Sequence, residues 1–186
     1  MSQQPHHHFD LLLEFDADQV SPSLTWKTKP NAVSAIGAGA GALHLARDGR
    51  VGLNITATGT QLVSLGHLYP YTGFSVRQCA LYAQPKLLQC SAMADDAVYA
   101  APAPFTGAAV AVRELSPGFT SSQQFKDDIL TVSQQWDGQL VGIASPGRWV
   151  LTLVVTVDIA RKGQSMPTAR VFQFDTELFI DPAALL

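Results

Sequence analysis

Charge is scarce in this 186-residue chain: only 15% of its residues are Asp, Glu, Lys or Arg, and 12 basic against 15 acidic side chains leave a formal net charge of -3. Phosphate backbones are gripped by clustered Lys and Arg, so this composition offers no footprint for nucleic acid. Cysteine is nearly absent. Cys79 and Cys90 fall on what read as neighbouring strands, where a hairpin disulfide is geometrically feasible. The residues from Met1 to Glu14 show no basic segment followed by a long apolar run and a small-residue cleavage site. Without such a secretory signal, two buried thiols in a cytoplasmic protein are the expectation. Long apolar runs are missing too. Nowhere do eighteen apolar residues follow one another, so no membrane span is expected.

Helical periodicity is equally lacking, for no run of ten residues carries a 3.6-residue apolar stripe, which argues against helix-linked parallel strands. Motifs of chemistry fare no better. Gly37, Gly39 and Gly41 alternate without the Lys-Ser/Thr of a phosphate loop, and Ser64 lacks the first glycine of a nucleophile elbow. Asp95-Asp96 and Asp127-Asp128 read as solvated loop charge, since a hard cation needs several convergent oxygens. No cofactor and no metal site are expected, and no catalytic residue is assigned.

What is present is strand pattern. Hydrophobic residues make up 47% of the chain, enough to fill a core. The stretch Trp149–Ile159 puts Trp149, Leu151, Leu153, Val155, Val157 and Ile159 on one side of an extended backbone and Val150, Thr152, Val154, Thr156 and Asp158 on the other. Alternation of this length, rich in β-branched types, reads as a strand with one face in a core. Its second face is more apolar than a solvent-facing strand requires, so Thr152, Val154 and Thr156 are expected under a loop or at a subunit interface. Further runs at Phe9–Phe15, Ala42–Ala46, Val51–Thr56, Ser75–Tyr82, Ile129–Val132, Ala169–Phe174 and Glu177–Ile180 are separated by turn signals such as Arg47-Asp-Gly-Arg50, Thr58-Gly-Thr60 and Arg161-Lys-Gly163. The expected fold is all-β: an antiparallel β-sandwich, jelly-roll or immunoglobulin-like, of about eight to ten strands. One domain over residues 9–182 follows a flexible His-containing tail, residues 1–8, in which His6-His7-His8 reads as a tag remnant or solvated segment.

The most chemically varied loop is Gly66-His-Leu-Tyr-Pro-Tyr-Thr-Gly73. His67, Tyr69 and Tyr71, with Arg77 nearby and Trp136 from elsewhere in the chain, combine aromatic faces and polar groups in the way a sugar-binding surface does. The plainer reading is that the same residues cover one end of the sandwich.

Five segments carry a family resemblance. Phe9-Asp-Leu-Leu-Leu-Glu-Phe-Asp-Ala-Asp-Gln-Val20 resembles the first strand of the bacterial inclusion-body protein family that includes PixA and AidA. Gly52-Leu-Asn-Ile-Thr-Ala57, Gly59-Thr-Gln-Leu-Val-Ser-Leu65 and Phe74-Ser-Val-Arg-Gln-Cys-Ala-Leu-Tyr82 look like its central block. Val171-Phe-Gln-Phe-Asp-Thr-Glu-Leu-Phe-Ile-Asp-Pro182 is similar to its closing strand pair, with Thr176 where proline is usual. The segment after the first strand is shorter than in the family, and Ser64-Leu65 replaces a Trp-Arg pair. The resemblance implies a cytoplasmic β-sandwich made under density-dependent control, without a catalytic centre, sometimes abundant enough to form inclusions and in some members suspected of binding carbohydrate. Two functions follow as expectations: a self-associating structural or storage-like homo-oligomer, or a lectin-like module with a glycan partner. An uncharacterised enzyme ranks third.

Overall fold

Twelve strands and no helix form the described part of the chain in a computed structural model, which describes residues 6–33, 41–62, 69–88, 98–99, 101, 103–106, 112–116, 118–143 and 145–180. In chain order they are β1 (His6–Asp16), β2 (Thr25–Lys29), β3 (Leu43–Thr60), β4 (Tyr71–Pro85), β5 (Leu87–Leu88), β6 (Val98–Tyr99), β7 (Val112–Glu114), β8 (Phe119–Lys126), β9 (Ile129–Trp136), β10 (Leu140–Val141), β11 (Gly147–Arg161) and β12 (Thr168–Ile180). No helix among these residues is long and apolar enough to cross a membrane.

Ten strands belong to one open sheet with the path β2-β1-β3-β12-β11-β4-β7; β9 and β10 also pair with β3, and β8 pairs with β9. The expected all-β class is met, but the sheet is mixed and not purely antiparallel. Both β1 and β12 run parallel to β3. The sequence reading tied parallel strands to helical crossovers; here the chain returns from β1 to β3 by way of β2, which pairs antiparallel with β1.

β11 follows its alternation from end to end. Trp149, Leu151, Leu153, Val155, Val157 and Ile159 are buried, while Val150, Thr152, Val154, Thr156 and Asp158 are half-buried. Burial of each large apolar side chain contributes about 1.5–3 kcal/mol before the entropy of ordering it. The strand lies antiparallel between β12 and β4 along nearly its whole length. Trp149 also finds a partner for its indole N–H, which donates to the Ala101 carbonyl at 2.8 Å, as a buried tryptophan needs.

β4 keeps its apolar residues inward by a bulge. Cys79, Leu81 and Ala83 oppose Val155, Leu153 and Leu151 on the core face, yet Phe74 and Val76 also face inward, opposite Ile159 and Val157. Period-two alternation cannot satisfy both sets. The register shift between the Thr156 and Val157 pairings inserts one extra residue, so Arg77 and Gln78 both point outward and the inner face is continuous.

The Asp48-Gly49 signal falls inside β3 and does not end it. Asp48 takes φ 55°, and a side chain on Gly49 would lie 2.7 Å from both the Ala46 carbonyl and Leu45 Cδ1. This kink redirects the strand: residues before it pair with β12 and with His6 of β1, residues after it with the rest of β1, β9 and β10. Gly59 likewise marks a close approach and not a turn, its Cα lying against the Tyr71 ring. At the other end, β1 begins at His6, with His8 opposite Arg50. His6–His8 are therefore strand residues, in place of the flexible tail expected. One core cluster runs through all the long strands, with Phe15 of β1 stacked on Phe172 of β12 at 4.4 Å and edge-on to Phe74 of β4 at 5.2 Å.

Candidate functional site

Among the described residues, two of the side chains singled out in the sequence, Tyr71 and Trp136, are buried and two, Tyr69 and Arg77, are exposed. His67 lies outside the described residues, as does Cys90. Tyr69 is exposed, its carbonyl held by Arg161 Nη1 at 3.2 Å, and its ring rests over Gly163. Arg161 also donates to the Ala17 carbonyl at 2.9 Å and to Asp18 at 2.5 Å, clamping this corner. Tyr71, two residues on, is fully buried and presents no face to a ligand. Its hydroxyl has no hydrogen-bond partner among the described residues, and burial raises its pKa, against the opposing charge of Arg161. Arg77 projects from the β4 bulge, committed to Asp158. Trp136 is buried at the end of β9, with Gly118 and Gly138 against its ring. Burial of Tyr71 and Trp136 keeps both out of any exposed surface with Tyr69 and Arg77.

Buried polar groups serve the framework instead. Gln134 on β9 is buried and donates to the Phe74 carbonyl at 2.9 Å, tying β9 to the start of β4. Burial pushes the Cys79 thiol up to about 12, with the Glu114 carboxylate adding to the effect, so it is an inert free thiol. Desolvation works to raise Glu114, but hydrogen bonds from the Ser116 hydroxyl and N–H, from Gln78 and from the Cys79 N–H outweigh it and hold the carboxyl below its usual value. Among the described residues no group of three or more His, Cys, Asp and Glu could hold a metal ion.

The concave surface lies on the outer face of the sheet. Cross-strand register sets Val112, Tyr82, Thr152 and Asp175 in one row across β7, β4, β11 and β12, and Gln84, Val150 and Glu177 in the next. Tyr82 and Val112 are each 44% exposed. Together with Gln84, Val150 and Thr152 they line an open depression of about 300 Å³, at the small end of ligand-sized clefts. Thr152 Oγ1 donates to Asp175 Oδ1 at 2.6 Å, which fixes the hydroxyl. In the next row Glu177 accepts from Lys86 and from Arg148 Nε, the latter at 2.6 Å. The Lys86 hydrogen bond comes first among the causes that keep the Glu177 carboxyl ionised below its usual range, against some desolvation.

Sequence reasoning passed over Tyr82 and Val112. Tyr82 stood between the inward Leu81 and Ala83, so alternation alone marked it as an exposed aromatic. Val112 had no such signal, because β7 has only three residues. Compared with protein-family models, with curated proteins and with solved structures, the chain matches none.

Proposed function

We propose that this protein is a non-catalytic, cytoplasmic β-sandwich that self-associates in a structural or storage-like role, as the resemblance to the PixA/AidA inclusion-body family implies. In favour of the sandwich arrangement is the kink in β3, which sends one strand into two groups of neighbours, and the Phe15–Phe172 stack between strands of those groups. The observation that carries self-association is the outer face of β4, β11 and β12. Val150, Thr152, Val154 and Thr156 each keep some solvent contact there, flanked by Tyr82, Val112 and Val171, the last 56% exposed. An apolar and hydroxyl-bearing face of this kind gains by being covered. Sedimentation velocity over a micromolar concentration series is the test. A mass that rises with concentration is expected; a monomer at every concentration would sink the reading.

A second reading is lectin-like, favoured by the depression itself, where an exposed aromatic ring lies beside the Gln84 amide and the fixed Thr152 hydroxyl. Sugars stack on such rings and hydrogen-bond beside them. Glycan-array binding that disappears with Tyr82→Ala is the expected result, and an array without signal removes this reading.

A further inference from the structure

Among the described residues, β8 has an open edge over its whole length and lacks the usual guards. β2 carries Lys27 and Lys29, and β7 has three residues, two of them Arg113 and Glu114. Charge and shortness are how sheet edges are kept from pairing with other chains. β8 reads Phe119-Thr-Ser-Ser-Gln-Gln-Phe125 before Lys126, with no charge, proline or glycine in those seven residues. Among the described residues its only partner is β9, and every residue from Thr120 to Lys126 is exposed.

The direction of its free backbone groups can be fixed. Opposite residues of an antiparallel pair alternate between hydrogen-bonded and non-hydrogen-bonded. Asp137 N–H donates to the Gly118 carbonyl at 2.7 Å, and this pair lies in register with the β8–β9 ladder. Even-numbered residues of β8 therefore bond to β9. Phe119, Ser121, Gln123 and Phe125 turn their N–H and C=O groups to the open side.

We infer, building on the self-association reading above, that β8 is the edge to which a second copy of this chain adds, antiparallel and centred on Ser122. The sequence is self-complementary about that residue. Phe119 meets the partner's Phe125, Ser121 meets the partner's Gln123, and each pair occurs twice with its outward backbone groups in hydrogen-bonding position. Ser122 faces its own counterpart, and no like charges are opposed. Phe125, 60% exposed on the copy alone, gains an aromatic neighbour. A strand paired with itself is two-fold and closes, so this edge makes a dimer and not a fibre.

Proline at Gln123 removes an N–H that β9 does not use, so Gln123→Pro should spare the fold and block the contact. Ser122→Lys sets two ammonium groups against each other at the axis. In sedimentation velocity of the full chain, the dimer is expected for the natural sequence and its loss for both variants, with far-ultraviolet circular dichroism unchanged. Ser122→Cys in a Cys90→Ser background should form a covalent dimer under mild oxidation, because non-hydrogen-bonded partners have Cα atoms within disulfide reach; the Cys90→Ser chain alone should not. A dimer that persists in folded Ser122→Lys and does not crosslink through Ser122→Cys overturns the β8 contact while leaving self-association standing. A natural chain that is monomeric throughout overturns both.

Discussion

Arg77 and Asp158 close a two-pronged ion pair on the outer face of the β4–β11 ladder: Nε donates to Oδ2 at 3.0 Å and Nη2 to Oδ1 at 2.6 Å. The pair follows from the bulge, since the extra residue in β4 is what turns Arg77 outward. Two changes at this position separate the charge from the backbone. Arg77→Ala removes an exposed pair and should cost no more than about 1 kcal/mol in urea unfolding. Insertion of one alanine after Arg77 adds a residue that the ladder has no place for, sends Phe74 and Val76 to solvent or breaks the ladder, and should cost more than about 3 kcal/mol. Equal costs for the two variants would show that the bulge does not set the inner face.

Tyr71 buries a hydroxyl that has no partner among the described residues. Desolvating such a group without a hydrogen bond costs about 1–3 kcal/mol. Tyr71→Phe should therefore leave the protein as stable as before or raise its denaturation midpoint, whereas Tyr71→Ala should cost about 3–5 kcal/mol through the cavity it opens. If Tyr71→Phe is clearly destabilising, the hydroxyl has a partner and its role must be reassigned.

Acid should weaken the corner where Glu177 meets Lys86 and Arg148. The folded pKa of Glu177 is lowered, chiefly by the Lys86 hydrogen bond, from an ordinary 4.5. Its contribution is thus present above pH 4.5 and is lost as the pH falls through the folded value. Glu177→Gln should flatten the stability curve below pH 4.5 and lower the plateau above it, as read from urea midpoints at successive pH values. An unchanged acid limb would rule this pair out as a source of pH dependence.

Alkali acts in the opposite sense on Cys79. Its folded pKa is raised by burial from 9.0 to about 12, so the unfolded chain loses this proton first. The stability it contributes is complete below pH 9 and declines as the pH rises towards 12. Cys79→Ala, combined with Tyr71→Phe because burial raises that group as well, should reduce the slope above pH 9. In the native protein the Cys79 thiol should react with a thiol reagent only as fast as the chain opens.

Legibility in the sequence tracked how strongly each segment constrains its two faces. β11 could be read residue by residue because alternate positions meet different surroundings over its whole length. β8 could not, since a strand exposed on both sides leaves no period in its side chains. The turn signals at Asp48-Gly49 and Gly59 were genuine marks of special backbone, but glycine records close approach as readily as chain reversal, and β3 uses both inside one strand. Loop chemistry misled most. Tyr71 offered a handle for ligands beside Tyr69, while the fold buries it with its ring against Gly59. The outer-face row through Tyr82 needs the register of four strands, which no single segment contains.

Asp127 and Asp128 form the two-residue turn between β8 and β9, with φ 50° and 60°. Left-handed backbone at both central positions is the type I′ geometry, which suits the twist of the strands and prefers Asn-Gly. An aspartate at the second position bears the Cβ strain that glycine escapes. Asp127→Asn with Asp128→Gly should therefore stabilise the hairpin by about 0.5–1 kcal/mol, measured as a higher denaturation midpoint. A firmer hairpin also holds the free edge of β8 in register, so association should strengthen along with stability. A stabilised variant that associates more weakly would mean that β8 must loosen before a second copy can join.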